Sequence, residues 1–141
     1  MRTSWLVSIA VAGAFAGACS TMDSAPKTPT YAATLAPGAG ITSTGKGAGS
    51  FTYDPATHVL TYNVTYEGLS GPAVAAHIHG PAAPGANGPP VVPFANAASP
   101  ITGTATLTDA QAADLAAGKW YVNVHTAANK GGEIRGQITA K

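Results

Sequence analysis

The sequence carries little charge. Lys, Arg, Asp and Glu make up 9% of its 141 residues, whereas typical soluble domains contain about 25%. Seven basic and six acidic residues give a formal net charge of +1, and they form no run of one sign. A chain without a basic patch has no long-range attraction for a polyanion. The composition therefore predicts no nucleic-acid partner.

Cysteine and nucleophile motifs are also scarce. Cys19 is the only cysteine, so the chain cannot form an internal disulfide and has no set of thiolates for a metal. No serine lies in a Gly-x-Ser-x-Gly setting, which is typical of one large group of hydrolases. These absences argue against a nucleophilic hydrolase.

No apolar run is long enough for a membrane-spanning helix. The longest, residues 5–15, follows Arg2 and precedes the small residues of 16–18, and a spanning helix needs about 20 residues. This arrangement is typical of a signal peptide, which we assign to residues 1–18. The protein is therefore expected to be exported.

Cys19 comes directly after that segment and resembles the acylated cysteine of a bacterial lipobox. The resemblance implies a lipid anchor in the cell envelope, most simply at the outer membrane, facing the periplasm or the surface. The alternative is an ordinary secretory signal that leaves a free thiol. Residues 19–30 are polar, contain proline and are predicted to be a flexible tether. The folded domain is then residues 31–141.

Glycine (17) and proline (11) are plentiful, and short apolar runs alternate with them. In residues 58–66 apolar and polar side chains alternate with a period of two, which predicts a half-buried strand. Asp54-Pro55-Ala56-Thr57 before it is typical of a tight turn. Seven strands are predicted, at 31–35, 49–53, 58–66, 73–79, 103–107, 119–126 and 133–139.

Two other segments complete the domain. Residues 81–100 contain six prolines and are predicted to form a long surface loop. Residues 108–118 carry the one helical signal, in which Thr108 and Gln111 have capping-box spacing and Gly118 suits the end. We expect this helix to close one end of a β-sandwich.

Three of the four histidines lie in two predicted strands. His77 and His79 leave the same face of one strand, with Cα atoms roughly 6.5–7 Å apart, and Asn123 and His125 share a face of another. Imidazole suits Cu, Zn or Ni. If the two strands are neighbours, His77, His79 and His125 form a candidate metal site with an open position. In an oxidising compartment without thiolate ligands, copper is the expected ion.

The alternative is a structural polar network. Glu133 and Arg135 are predicted to share a strand face, where the guanidinium can pair with the carboxylate. Asn123 and Gln137 offer further hydrogen bonds, and Glu133 could accept one from a metal-binding imidazole. Such a network would fix the strand register and anchor the long loop, and it is compatible with a metal site.

Four motifs resemble the CHRD domain, which is named from the animal protein chordin and also occurs in exported bacterial proteins. They are AHIHGPA (76–82), NGP (87–89), LAAGKWYVNVHT (115–126) and GGEIRGQI (131–138). The resemblance implies an extracellular module without an established activity. The positions that match the family motifs are His77, His79, Gly80, Pro81, Tyr121, Asn123, His125, Thr126, Glu133, Arg135, Gly136 and Gln137.

The His-x-His strand with a distant histidine also resembles copper–zinc superoxide dismutases. The disulfide cysteines and the zinc-binding cluster of those enzymes are missing, and only His58 is left as a fourth ligand. The resemblance therefore implies similar architecture and at most one metal site.

Together these observations predict an all-β fold, a Greek-key β-sandwich of the immunoglobulin or superoxide-dismutase kind. It should contain about seven to eight strands and one short helix. The predicted function is a lipid-anchored binding or structural module without established catalysis, whose protein or glycan partner is open. The alternative is a copper-type metal-binding protein that uses His77, His79 and His125.

Overall fold

The computed structural model describes residues 27–141. The predicted signal peptide, Cys19 and most of the predicted tether lie outside the described residues. Within residues 27–141, no helix has both the length and the apolar character that a membrane span requires.

The described chain is almost entirely β, which confirms the predicted fold class. One short helix, α1, spans Asp109–Ala116. The strands are β1 (Thr30–Pro37), β2 (Lys46–Asp54), β3 (Val59–Glu67), β4 (Ala73–His79), β5 (Pro90–Pro93), β6 (Ile101–Thr106), β7 (Tyr121–Thr126), β8 (Ile134–Gln137) and β9 (Thr139–Ala140).

The alternating pattern of β3 places apolar side chains on one face. Leu60 and Val64 are fully buried, whereas Thr61 and Asn63 between them are exposed. The β2–β3 turn is held by Asp54, whose carboxylate accepts hydrogen bonds from the Ala56 N–H and the Thr57 hydroxyl, both at 2.9 Å. The predicted hairpin is therefore confirmed.

The strands follow the order β5-β4-β7-β8-β1-β2-β3-β6, with β9 also paired to β1. Strand β1 joins the two halves, because residues 30–35 pair with β2 while Ala36 and Pro37 pair with β8. The chain passes from one half to the other between β3 and β4, β5 and β6, β6 and β7, and β8 and β9. The halves bury their inner faces in one common core, and the result is a sandwich-like domain.

Helix α1 connects β6 to β7 and has the predicted capping box. The Thr108 hydroxyl accepts from the Gln111 N–H at 3.2 Å, and the Gln111 side chain accepts from the Thr108 N–H at 2.9 Å. Leu115 is fully buried in the common core. One apolar anchor and a reciprocal cap therefore fix this helix on the sandwich.

Strand β7 lies between β4 and β8 and gives this half of the sandwich two different faces. Its Val122 and Val124 point inward and are fully buried. Polar and aromatic residues occupy the outer face in rows set by the antiparallel register. The rows are Ala75–His125, His77–Asn123–Arg135 and His79–Tyr121–Gln137. The loop after β4 covers part of this face.

Candidate metal centre

The three histidines of the two predicted strands meet on that outer face. Strands β4 and β7 are direct neighbours, and His125 lies diagonally beside His77. The ring centroids are 5.1–5.8 Å apart. One ring nitrogen of each histidine lies within 4.8 Å of the others. The strand adjacency on which the metal hypothesis depends is therefore present.

Backbone carbonyls hold two of the rings in a defined tautomer. His79 Nδ1 lies 3.0 Å from the Gly88 carbonyl oxygen, and His125 Nδ1 lies 2.8 Å from that of Lys130. A carbonyl oxygen only accepts, so each Nδ1 carries the proton. The Nε2 of His125 then accepts a hydrogen bond from His77 Nδ1 at 3.2 Å, whereas the Nε2 of His79 keeps an unused lone pair. Metal-binding histidines are commonly held in this way.

The Nε2 atom of His79 is buried and has no hydrogen-bond partner among residues 27–141. A buried polar atom without a partner costs free energy, and structures rarely leave one unpaired. A metal ion accepts the lone pair that this nitrogen presents. This atom fits a ligand role.

The spacing of one pair of ring nitrogens suits a transition-metal ion. His77 Nδ1 and His125 Nε2 are 3.2 Å apart. Two metal–nitrogen bonds of about 2.0–2.1 Å place their nitrogens about 2.9 Å apart at a right angle and about 3.3 Å apart at a tetrahedral angle. A pair at the 4.8 Å limit of the set would need to approach by about 1.5 Å to reach the tetrahedral spacing. Three imidazoles leave a further coordination position open.

The electrostatics favour neutral imidazoles. Burial lowers the pKa of His77, and the neighbouring His125 and His79 lower it further. Burial also lowers the pKa of His79, although the bond to the Gly88 carbonyl acts in the opposite direction. Both rings are therefore neutral imidazoles at neutral pH and can offer a nitrogen lone pair to a metal without first losing a proton.

Arg135 and Tyr121 clamp the proline-rich loop beside the histidines. The Arg135 guanidinium lies 3.8 Å above the Tyr121 ring, which stacks on His79 with centroids 5.1 Å apart. Arg135 also donates to Asn87 Oδ1 at 2.9 Å and to the Ala86 carbonyl at 2.7 Å. The column from Arg135 to His79 thus connects the loop to a candidate ligand.

Gln137 holds the start of the same loop. Its side-chain amide donates to the carbonyls of Ala82 at 3.2 Å and Gly118 at 2.7 Å. The predicted anchoring of the loop by polar residues therefore matches these contacts. The acceptors on the loop are the backbone carbonyls of Ala82 and Ala86 and the side-chain amide oxygen of Asn87.

The predicted Glu133–Arg135 ion pair is wrong. Strand β8 begins only at Ile134, so Glu133 precedes the alternation that directs Arg135 to the outer face. The Glu133 side chain is fully buried and makes no hydrogen bond to a histidine or to Arg135 among the described residues.

The Glu133 carboxylate instead accepts five hydrogen bonds. Ser43 Oγ donates at 2.5 Å, the Ser70 N–H and Oγ at 2.8 and 2.6 Å, Thr126 Oγ1 at 2.7 Å and Asn129 Nδ2 at 3.3 Å. The Ser43 and Ser70 hydroxyls contribute most to lowering the pKa of this carboxyl to about 2. Neutral donors alone therefore stabilise a buried negative charge.

Asn123 supports the turn after β7 and makes no hydrogen bond to the histidines. Its amide nitrogen donates to the Gly131 carbonyl at 3.0 Å. Gly132 has a positive φ of 118°, and a Cβ there would collide with the Asn123 side chain. This turn also contains Lys130, whose carbonyl holds His125, so Asn123 acts on the site through the turn.

His58 lies in the β2–β3 turn, outside the group of three histidines. Its Nδ1 is 3.3 Å from the Tyr53 hydroxyl and 3.4 Å from an Asp109 carboxylate oxygen. It is therefore not a fourth ligand in this structure.

Sequence reasoning did not identify several contributors to the site. The Gly88 and Lys130 carbonyls orient two imidazoles, but a backbone carbonyl leaves no residue-type signal. Tyr121 did have a sequence signal, because it lies two residues before Asn123 and thus on the same strand face as His125. No sequence signal linked Ser43 and Ser70 to the site, since both are distant from Glu133 in the chain.

The fold and the site define a sandwich-like β domain with a polar, histidine-bearing outer face. The family model of the CHRD domain matches residues 31–138. The chain therefore belongs to the CHRD domain family, which supports a binding or structural module. No curated protein and no solved structure was found to match the chain.

Proposed function

We propose that this protein is a metal-binding module of the cell envelope, which holds one copper-type ion through His77, His79 and His125. The observation that carries the proposal is the buried Nε2 of His79, which has no hydrogen-bond partner among the described residues while Nδ1 of the same ring is occupied by the Gly88 carbonyl. This ring is one of three imidazoles whose nitrogens lie within 4.8 Å of one another.

The chemistry of the ligand set favours copper. All three candidate ligands are imidazoles, which suit Cu, Zn and Ni. Cu(II) binds such nitrogen ligands more tightly than the other divalent first-row metals do. Cu(II) is therefore the expected metal ion, and Zn(II) is the ion expected to compete with it.

A purely structural role is the second candidate. His79 ties the proline-rich loop to the sheet through Gly88, and the Tyr121 and Arg135 column reinforces the contact. In that case the histidines fix the loop, and their replacement lowers stability without removing a metal site.

A calorimetric titration of the purified protein separates the two functions. We expect one equivalent of Cu(II) to bind with a dissociation constant of about 1 μM or tighter. A His77→Ala, His79→Ala double variant should lose this site, because it removes two of three ligands. The His58→Asn variant is the matched control, since His58 lies outside the group and asparagine tolerates its positive φ of 58°.

Weak binding of several equivalents to the wild-type protein would contradict the metal proposal. So would tight binding that persists in the double variant while circular dichroism shows it folded. A double variant that melts much earlier, with no tight site in the wild type, would support the structural role.

We also propose that Cys19 carries a lipid anchor, on the strength of the sequence alone. Labelling of the expressing cells with a radioactive fatty acid should mark the wild-type protein, and Cys19→Ser should abolish the label because a hydroxyl replaces the acylated thiol. A Cys19→Ser protein that is labelled equally would overturn the anchor. Ser20→Ala is the matched control and should keep the label.

A further inference from the structure

A cleft of about 290 Å³ with both polar and apolar lining lies beside the outer face of the sheet. The proline-rich loop, the β1–β2 connection and the turn after β7 form its walls. Asn87, Asn123, Asn129 and Arg135 supply polar side chains to the lining, and glycines such as Gly38 and Gly131 leave backbone accessible. The cleft therefore offers many hydrogen-bonding groups in a small volume.

Arg135 gives the cleft a positive charge without a carboxylate partner. Among residues 27–141 the ion pairs involve Lys46, His58 and Lys119, and none includes Arg135. Two of its five N–H bonds are used, by Asn87 and the Ala86 carbonyl. The remaining N–H bonds can bind a carboxylate, whose geometry a guanidinium matches.

The three asparagines suit hydroxyl groups. A carboxamide both donates and accepts hydrogen bonds, as a hydroxyl does. Asn123 is only 5% exposed, and among the described residues its side chain makes one hydrogen bond, to Gly131. No carboxylate lines the cleft, although the buried Glu133 carboxylate accepts a hydrogen bond from the lining residue Asn129 at 3.3 Å.

We infer that this cleft binds a small polyhydroxylated carboxylate, the chemistry of a sugar acid. Arg135 binds the carboxylate, and the asparagine amides bind the hydroxyls. The volume lies at the lower limit of small-molecule sites, which is about 300 Å³, so the cleft holds one sugar unit. This inference is independent of the metal site.

The test uses the purified protein in the presence of a chelator, so its outcome does not depend on a metal. Galacturonate, galactose and a galacturonate trimer are titrated while the amide resonances are followed by NMR. We expect galacturonate to bind at least ten times more tightly than galactose, which differs in lacking the carboxylate. A trimer that binds more tightly than the monomer identifies a polysaccharide as the source, and equal affinities identify the free acid.

Two variants locate the site. Arg135→Gln should weaken galacturonate binding at least tenfold and by a larger factor than it weakens galactose binding, because it removes the charge as well as the hydrogen bonds to Asn87 and Ala86. Ala39→Leu should weaken the binding of both sugars about tenfold, because Ala39 is an exposed residue of the cleft lining whose enlargement fills the volume while Arg135 is retained. Ala48→Leu, at an exposed position of β2 outside this cleft, is the matched control and should bind as wild type does.

Equal affinity for galacturonate and galactose would overturn the inference. Unchanged galacturonate binding in a folded Ala39→Leu protein would overturn it as well. Neither result bears on Cu(II) binding, which is measured separately.

Discussion

Replacement of Glu133 with alanine is expected to lower the free energy of unfolding by about 3–5 kcal/mol, because several neutral donors lose their common acceptor at once. The substitution leaves the donors of Ser43, Ser70, Thr126 and Asn129 without their acceptor. An unsatisfied buried polar group costs about 1–3 kcal/mol, and partial solvation of the half-buried donors limits the sum.

The size of the effect follows from what the carboxylate connects. Ser43 belongs to the β1–β2 connection, Ser70 to the β3–β4 connection, and Asn129 to the turn after β7. These segments have no common sheet ladder, so the carboxylate fixes them relative to one another. Without it, the turn that contains the Lys130 carbonyl is less well held against His125.

Thermal unfolding measures this effect. A loss of this size corresponds to a fall in Tm of roughly 10–20 °C for a domain of this length. The control is Glu67→Gln, which removes an exposed carboxylate 3.0 Å from Lys46 and should cost no more than about 1 kcal/mol. Equal falls in Tm for both variants would show that burial and the five hydrogen bonds do not matter.

The pH profile provides a second readout of the same carboxylate. Its pKa is lowered from 4.5 to about 2 in the folded protein, so the unfolded chain takes up the proton first as the pH falls. The stabilisation is therefore complete above pH 4.5 and is lost between pH 4.5 and about 2. Glu133→Gln should flatten this part of the stability profile. An unchanged acid-induced loss in that variant would assign the effect to other carboxyl groups.

Local sequence signals predicted most elements of the fold, because the physics that forms them is local. Period-two alternation identified β3, and the spacing of Thr108 and Gln111 identified α1. Strand β5 was missed because Pro90 and Pro93 bound it within a proline-rich loop. Proline is tolerated there because β5 is an edge strand and needs no second set of backbone donors.

Only part of the candidate site could be predicted, because local patterns show which side chains share a strand face but not which strands are neighbours. The strand period placed His77 with His79 and Asn123 with His125, but strand order is not encoded in a local pattern. Glu133 shows the limit most clearly. Its role depends on Ser43 and Ser70, which lie 90 and 63 residues away, and no motif links them.

The metal proposal leads to a further large effect, an increase in thermal stability when Cu(II) is added. An ion that binds only the folded protein stabilises it by about 2.7 kcal/mol at a hundredfold excess over its dissociation constant. This corresponds to a rise in Tm of about 10 °C. The unfolded chain binds more weakly, because the Gly88 and Lys130 carbonyls no longer orient His79 and His125.

Variants separate this effect from a nonspecific influence of salt. Each protein is compared with its own metal-free form, because His79→Ala also removes the hydrogen bond to Gly88 and should melt earlier without metal. The copper-induced rise should vanish in His79→Ala and persist in His58→Asn. Mg²⁺, which prefers oxygen ligands, should leave the Tm of every variant unchanged. A rise of the same size in His79→Ala would mean that copper binds elsewhere on the domain, and the three histidines would then act through the loop they hold.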